Sequence, residues 1–167
     1  MTAELSAGAR RVAEALRRAG CALTVVELPA STRTAAEAAL AIGCEVVQIA
    51  KSLVFRRTAD DVAVLAIASG AASGASLVDE AKLAALAGGA VERASPEFVR
   101  RRTGFAIGGV PPVGHDTPLL TFLDRDLLSL PTIWAAAGSP HAVFRLAPDE
   151  LVALTGAPAV DLTRSGT

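Results

Sequence analysis

The 167-residue chain has no tyrosine, one tryptophan, two cysteines, two histidines and two lysines. Cys21 and Cys44 have neither metal-ligand spacing nor a disulfide framework around them, so buried, reduced thiols are expected. His115 and His141 both lie in the second half and give no zinc pattern, so neither metal nor cofactor is expected. No apolar run approaches the ~20 residues of a membrane span. Met1 to Leu5 shows no basic segment followed by an apolar one, so the reading is a cytoplasmic protein with no membrane partner. A net charge of −1 argues against broad phosphate neutralisation, although a protein gripping one nucleic-acid end remains compatible with it. Ser69-Gly70-Ala71-Ala72-Ser73-Gly74 is a small-residue loop without the GxxxxGK[ST] pattern, which excludes a P-loop.

What the chain does have is apolar residues, 51% of the total, enough for one domain over 1–167 with a substantial core. It also has fourteen arginines against only Lys51 and Lys82. Lys51 falls in Val46 to Phe55, which reads as a buried strand. Alternation puts Val47, Ile49, Lys51, Leu53 and Phe55 on one face, so a compact ammonium interrupts an apolar row. Leaving it unpaired there costs several kcal/mol, which calls for an anion, carbonyls or a ligand. A snorkelling lysine or half of a structural ion pair is the other reading.

Leu5, Ala9, Val12 and Leu16 mark an amphipathic first helix ending at Gly20, with its arginine pairs on a solvated face. Ala22 to Leu28 reads as a strand. Thr34-Ala35-Ala36-Glu37 matches a capping box opening a helix that ends near Gly43. Thr58 to Asp61 turns the Lys51 strand into a second strand, Val62 to Ala68. A helix from about Leu77 to Ala87 is expected to bury Val78, Leu83 and Leu86. Another opens at Ser95-Pro96-Glu97 and ends at Thr103-Gly104, its Arg100-Arg101-Arg102 complementing the helix dipole.

Phe105 to Pro118 combines glycines that allow close approach with consecutive prolines that stiffen the chain. Interleaved Ile107, Val110 and Val113 predict that this loop packs on the core. The remainder reads as strands at Leu119 to Asp124, Thr132 to Ala137, Ala142 to Leu146 and Ala159 to Leu162. A turn at Arg125 to Leu130 and a helix from Pro148 to Gly156 separate them.

Three segments in this order resemble the YbaK-type prolyl-tRNA editing family of aminoacyl-tRNA deacylases. They are Gln48-Ile49-Ala50-Lys51-Ser52-Leu53-Val54, the GxxxP-like loop Gly108-Gly109-Val110-Pro111-Pro112-Val113-Gly114, and Ala137-Gly138-Ser139-Pro140. The resemblance covers about Ala22 to Leu162. It implies an α+β domain with a mixed, mainly antiparallel, partly barrel-like sheet flanked by helices. It also implies hydrolysis of a mischarged tRNA ester, with tRNA for proline carrying alanine, cysteine or serine as substrate. The partners would be the aminoacyl-tRNA acceptor end and a prolyl-tRNA synthetase.

On that resemblance the catalytic candidates are Lys51, which would anchor the terminal adenosine or its phosphate beside the carbonyl, and Gly108 and Gly109, in the Gly108 to Pro112 stretch whose amides would hold the aminoacyl group. Thr34, Val110, Pro112, His115, Gly138 and Ser139 are the substrate-binding ones, with Gly138 and Ser139 closing the far side of the pocket. A water or the substrate's own side chain would attack, since no Ser-His-Asp or Cys-His set is evident. A non-catalytic aminoacyl-tRNA or nucleotide-binding module, or an esterase for small molecules, would use the same pocket.

Overall fold

The computed structural model describes residues 5–70 and 78–163. Its helices are α1 (Ala7–Arg18), α2 (Ala35–Ile42), α3 (Glu80–Ala87), α4 (Pro96–Thr103) and α5 (Pro148–Thr155). Its strands are β1 (Val25–Glu27), β2 (Ile49–Arg57), β3 (Ala63–Ser69), β4 (Val91–Arg93), β5 (Leu120–Asp124), β6 (Ile133–Ala136), β7 (Ala142–Leu146) and β8 (Ala159–Val160). Local chemistry starts the helices: Ser6, Thr34, Asp79 and Ser95 each accept a first-turn N–H.

The strands form one mixed sheet in the order β1-β7-β6-β2-β3-β5-β8, with β4 added beside β2. The β1–β7, β6–β7, β2–β3 and β2–β4 pairs are antiparallel, whereas β2–β6, β3–β5 and β5–β8 are parallel. Among the described residues no pairing joins β1 to β8, so the sheet is open. β3 is buried along its whole length. On one face of the sheet Ala50, Val54, Leu65 and Ile67 join Val12, Leu16, Phe98 and Leu151 in the main core. On the other, Leu53, Phe55, Val64 and Ala66 meet Leu83 and Ala87 of α3.

Several sequence expectations change. The Lys51 strand begins at Ile49, because Val46–Gln48 is a 3₁₀ turn: the Gln48 side chain accepts the Glu45 N–H at 3.0 Å and the Gln48 N–H returns to the Glu45 carbonyl. Val47 therefore leaves the row shared by Ile49 and Lys51. The first strand shrinks to three residues, set by its pairing with β7. β4 carries no strand signal of its own and exists because β2 offers it an edge.

Leu86 is 41% exposed, and α3 begins after Asp79, with Val78 buried in a bridge to Thr163. The expected helix start at Leu77 and the loop residues Ala71 to Gly74 lie outside the described residues. Cys21 and Cys44 are half-buried free thiols, and burial pushes the Cys44 thiol up. No helix of the described residues is long and apolar enough to cross a membrane.

Candidate functional site

β2 has different neighbours on its two edges. β3 covers one edge from Ala50 to Arg56. On the other, β6 reaches only Ile49 and Ala50, and β4 only Phe55 to Arg57. Between them Lys51 to Leu53 face an opening in the sheet, bounded where the Ala94 N–H meets the Val54 carbonyl at 3.2 Å. Alternation along the ladder turns the Ser52 main chain, like that of Val54, towards this opening. A cavity of about 120 Å³ occupies it, with Lys51, Arg33, Arg93, Ile107, Gly108 and Trp134 among its lining residues.

Lys51 stands between two apolar patches on its face of the sheet. Ile49 packs with Ala38 and Ala39 of α2, while Leu53 and Phe55 pack beneath α3. The ammonium is half-buried, and among the described residues its one hydrogen bond is a long one, 3.4 Å, to the Arg33 carbonyl. Among the described residues no carboxylate forms an ion pair with it. Burial holds its pKa below the usual lysine range, and the nearby charges of Arg93 and Arg33 push the same way against a weaker pull from Glu37. The structural ion pair that the sequence left open is therefore absent from the described residues.

The glycine loop approaches Lys51 from the other side. Gly108 lines the cavity at φ 92°, where a methyl group on it would come within 2.5 Å of the Arg33 side-chain stem. The Gly109 N–H is spent on the Ala106 carbonyl at 3.0 Å, and Pro111 and Pro112 have no N–H. Gly108 and Val110 are thus the loop's remaining amides before Pro112. Gly109 accepts the Gly138 N–H at 2.9 Å, and a methyl group on it would come within 2.9 Å of the Ser139 main chain.

Thr34, Lys51, Gly108 and Val110 line the cavity directly, whereas Gly109, Pro112, His115, Gly138 and Ser139 are not among its lining residues. The Gly138-Ser139 turn backs the Gly108-Gly109 wall instead of forming an opposite one. The far side belongs to Trp134 to Ala136 and to Arg93-Ala94. His115 Nε2–H donates to the Pro111 carbonyl at 2.7 Å and so braces the loop, and burial pushes its pKa down. His141 meets the Ala30 carbonyl at 3.1 Å through Nδ1.

Arg11 corrects the expectation of a uniformly solvated face on α1. Its guanidinium lies 4.4 Å from the Phe105 ring centre and donates to the carbonyls of Gly104 and Gly114. It also pairs with Asp116 at 2.6 Å. α1 thereby ties both ends of the glycine loop together.

Sequence reasoning missed Arg33, Ser52, Arg93 and Trp134. Trp134 is the chain's sole tryptophan, in a short strand, and that rarity was a usable signal. Nothing in the sequence brings Arg33 and Arg93 together, because they meet only through β2.

The arrangement presents an underpartnered cation beside glycine main chain in a small, largely apolar recess, suited to a ligand carrying negative charge or a polarisable carbonyl. Residues 29–154 match the model of the aminoacyl-tRNA editing domain. A crystal structure assigned provisionally as a trans-editing enzyme for prolyl tRNA synthetase is 55% identical, with a TM-score of 0.89 over 97% of this chain and 100% of that one. The hypothetical protein APE2540 is 29% identical, with a TM-score of 0.83 over 92% of this chain and 99% of its own. The uncharacterised protein YwhH of Bacillus subtilis (strain 168) is 38% identical over 106 residues, which span 62% of this chain and 63% of YwhH. With its glycine loop, its half-buried lysine and the family match spanning both, this chain belongs to the aminoacyl-tRNA editing domain family.

Proposed function

We propose that this protein is a free-standing deacylase that hydrolyses the ester of tRNA for proline mischarged with alanine, cysteine or serine. The observation that carries the reading is the half-buried Lys51 ammonium, without a carboxylate partner among the described residues, lining the same cavity as Gly108. The resemblance to the crystal structure assigned to prolyl tRNA synthetase trans-editing supports the choice of tRNA.

Ester hydrolysis builds negative charge on the carbonyl oxygen. A fixed cation and fixed amides stabilise that charge more than the neutral ground state. Lys51 supplies the cation, and the amides of Gly108 and Val110 are the loop donors left to hold the aminoacyl group. Gly109, backed by Gly138 and Ser139, fixes where Gly108 stands, and Pro112 and His115 keep the loop rigid. Thr34 lines the pocket from the start of α2. A water or the substrate's own side chain is the attacking group.

A cavity of about 120 Å³ suits a small side chain. A single hydrophobic pocket separates amino acids differing by a methylene by only ~1–3 kcal/mol, which is why a second, smaller sieve serves fidelity.

The test is deacylation of a panel of prolyl tRNAs charged with alanine, cysteine, serine or proline. Release of one of the first three, with proline retained and Lys51→Ala inactive, is the expected result. Lys51→Arg is expected to fail too, since a planar fork does not replace a compact ammonium in a packed strand. Tight binding of all four without release would overturn the proposal.

A further inference from the structure

The charged side chains divide into two groups. Arg11, Arg17, Arg18, Arg56, Arg57 and Arg125 each face a carboxylate, and so does Lys82. Arg33 and Arg93, like Arg10, Arg100, Arg101, Arg102 and Arg145, have no such partner among the described residues, but these two flank Lys51 closely enough for both to disfavour its charge. They come from separate parts of the chain, Arg33 from the segment before α2 and Arg93 from the end of β4, and both line the cavity. Three converging like charges, opposed only weakly by Glu37, cost free energy unless an anion joins them.

We infer that Arg33 and Arg93 form a phosphate clamp at the cavity mouth, which holds the phosphodiester joining the terminal nucleoside of the acceptor strand to its neighbour. This rests on the deacylase reading above and extends it. Lys51 is left for the aminoacyl ester, while the two planar guanidiniums are suited to bidentate contact with phosphate oxygens.

The clamp is short. Beyond Arg93, a second hollow holds Arg56, Asp61, Glu92, Glu97 and Arg101. There Asp61 and Glu92 are both bound by Arg56, and with Glu97 they set three carboxylates against the three arginines that line the hollow, Arg56, Arg93 and Arg101. That balanced surface offers a phosphate no net attraction, so the protein grips about one phosphate and not a long stretch of backbone.

The test compares kcat/KM for a mischarged tRNA with that for the same amino acid esterified to adenosine alone, which lacks the phosphodiester. Arg33→Ala and Arg93→Ala are each expected to lower the tRNA-to-adenosine ratio about tenfold, mainly through KM, while Arg10→Ala leaves the ratio unchanged. The ratio is expected to recover in part with Arg93→Lys. Should the protein hydrolyse neither ester, direct binding of an uncharged single-stranded RNA trinucleotide against adenosine reads the clamp without catalysis.

Binding of the trinucleotide should weaken with salt by a slope near 0.7 per phosphate held, and Arg93→Ala should reduce that slope. Equal losses on both ligands, or no loss on either, would overturn the clamp. So would inorganic phosphate binding as tightly as the trinucleotide, which would make the site one for the free ion.

Discussion

Gly8 in the first turn of α1 presses its backbone against that of Gly138: a methyl group on either glycine would overlap the other's carbonyl oxygen. The turn that backs Gly109 is therefore itself backed by a helix from the other end of the chain. A glycine inside a helix ordinarily costs ~0.5–1 kcal/mol relative to alanine, so Gly→Ala there usually stabilises.

At Gly8 the sign reverses. Gly8→Ala is expected to destabilise by about 1–3 kcal/mol through overpacking against rigid main chain. It should also lower deacylation by shifting Gly138 and, through their hydrogen bond, Gly109. Thermal melting alongside turnover checks both, and a melting temperature at or above wild type would remove the constraint.

Ser52 gives the opposite expectation. Its Oγ is buried at the cavity without a hydrogen-bond partner. An unsatisfied buried hydroxyl costs ~1–3 kcal/mol, so Ser52→Ala should leave stability unchanged or raise it by about 1 kcal/mol. Urea denaturation of the free protein measures this, and a loss of stability would mean that the hydroxyl has a partner in the fold.

His115 makes stability depend on pH in a defined direction. Burial is the leading cause of its lowered pKa, with the Arg11 charge adding to it and the Pro111 hydrogen bond and Asp116 opposing. Since the folded pKa lies below the unfolded one, the unfolded chain takes up the proton first. The His115 contribution is thus full above the ordinary value of about 6.5 and declines as pH falls below it. Denaturant midpoints for wild type and His115→Gln between neutral and mildly acidic pH should diverge in that sense, the variant being the flatter. Parallel curves would exclude His115 as the titrating group.

Local signals in the sequence located much of this architecture. The capping residues Thr34 and Ser95, the β2–β3 hairpin and the glycine closing α4 all depend on neighbours within a few positions. Lys51 stood out because a charge in an apolar row is costly wherever that row is buried. What the sequence did not reveal was long-range. β4 becomes a strand only beside β2, Arg11 reads as a surface arginine until Phe105 is placed under it, and Arg33 and Arg93 converge only once both reach Lys51. Val46 and Val47 misled because their strand preference lost to the reciprocal hydrogen bonds between Glu45 and Gln48. For the site, the glycine loop and the Gly138 turn were legible as segments. That one braces the other, with the far wall made by β6 and β4, followed only from the sheet order.

The interrupted edge of β2 also sets a ruler. β6 stops pairing at Ala50 and Ala94, just past β4, bonds Val54, leaving Lys51 to Leu53 between them. At ~3.3 Å per residue those three residues span about 10 Å, the scale of one nucleoside. The aperture's width is therefore fixed by where two neighbouring strands end and not by any side chain. Extending β4 along β2 by a single residue pair would narrow the gate by about 3 Å with no change of side chain.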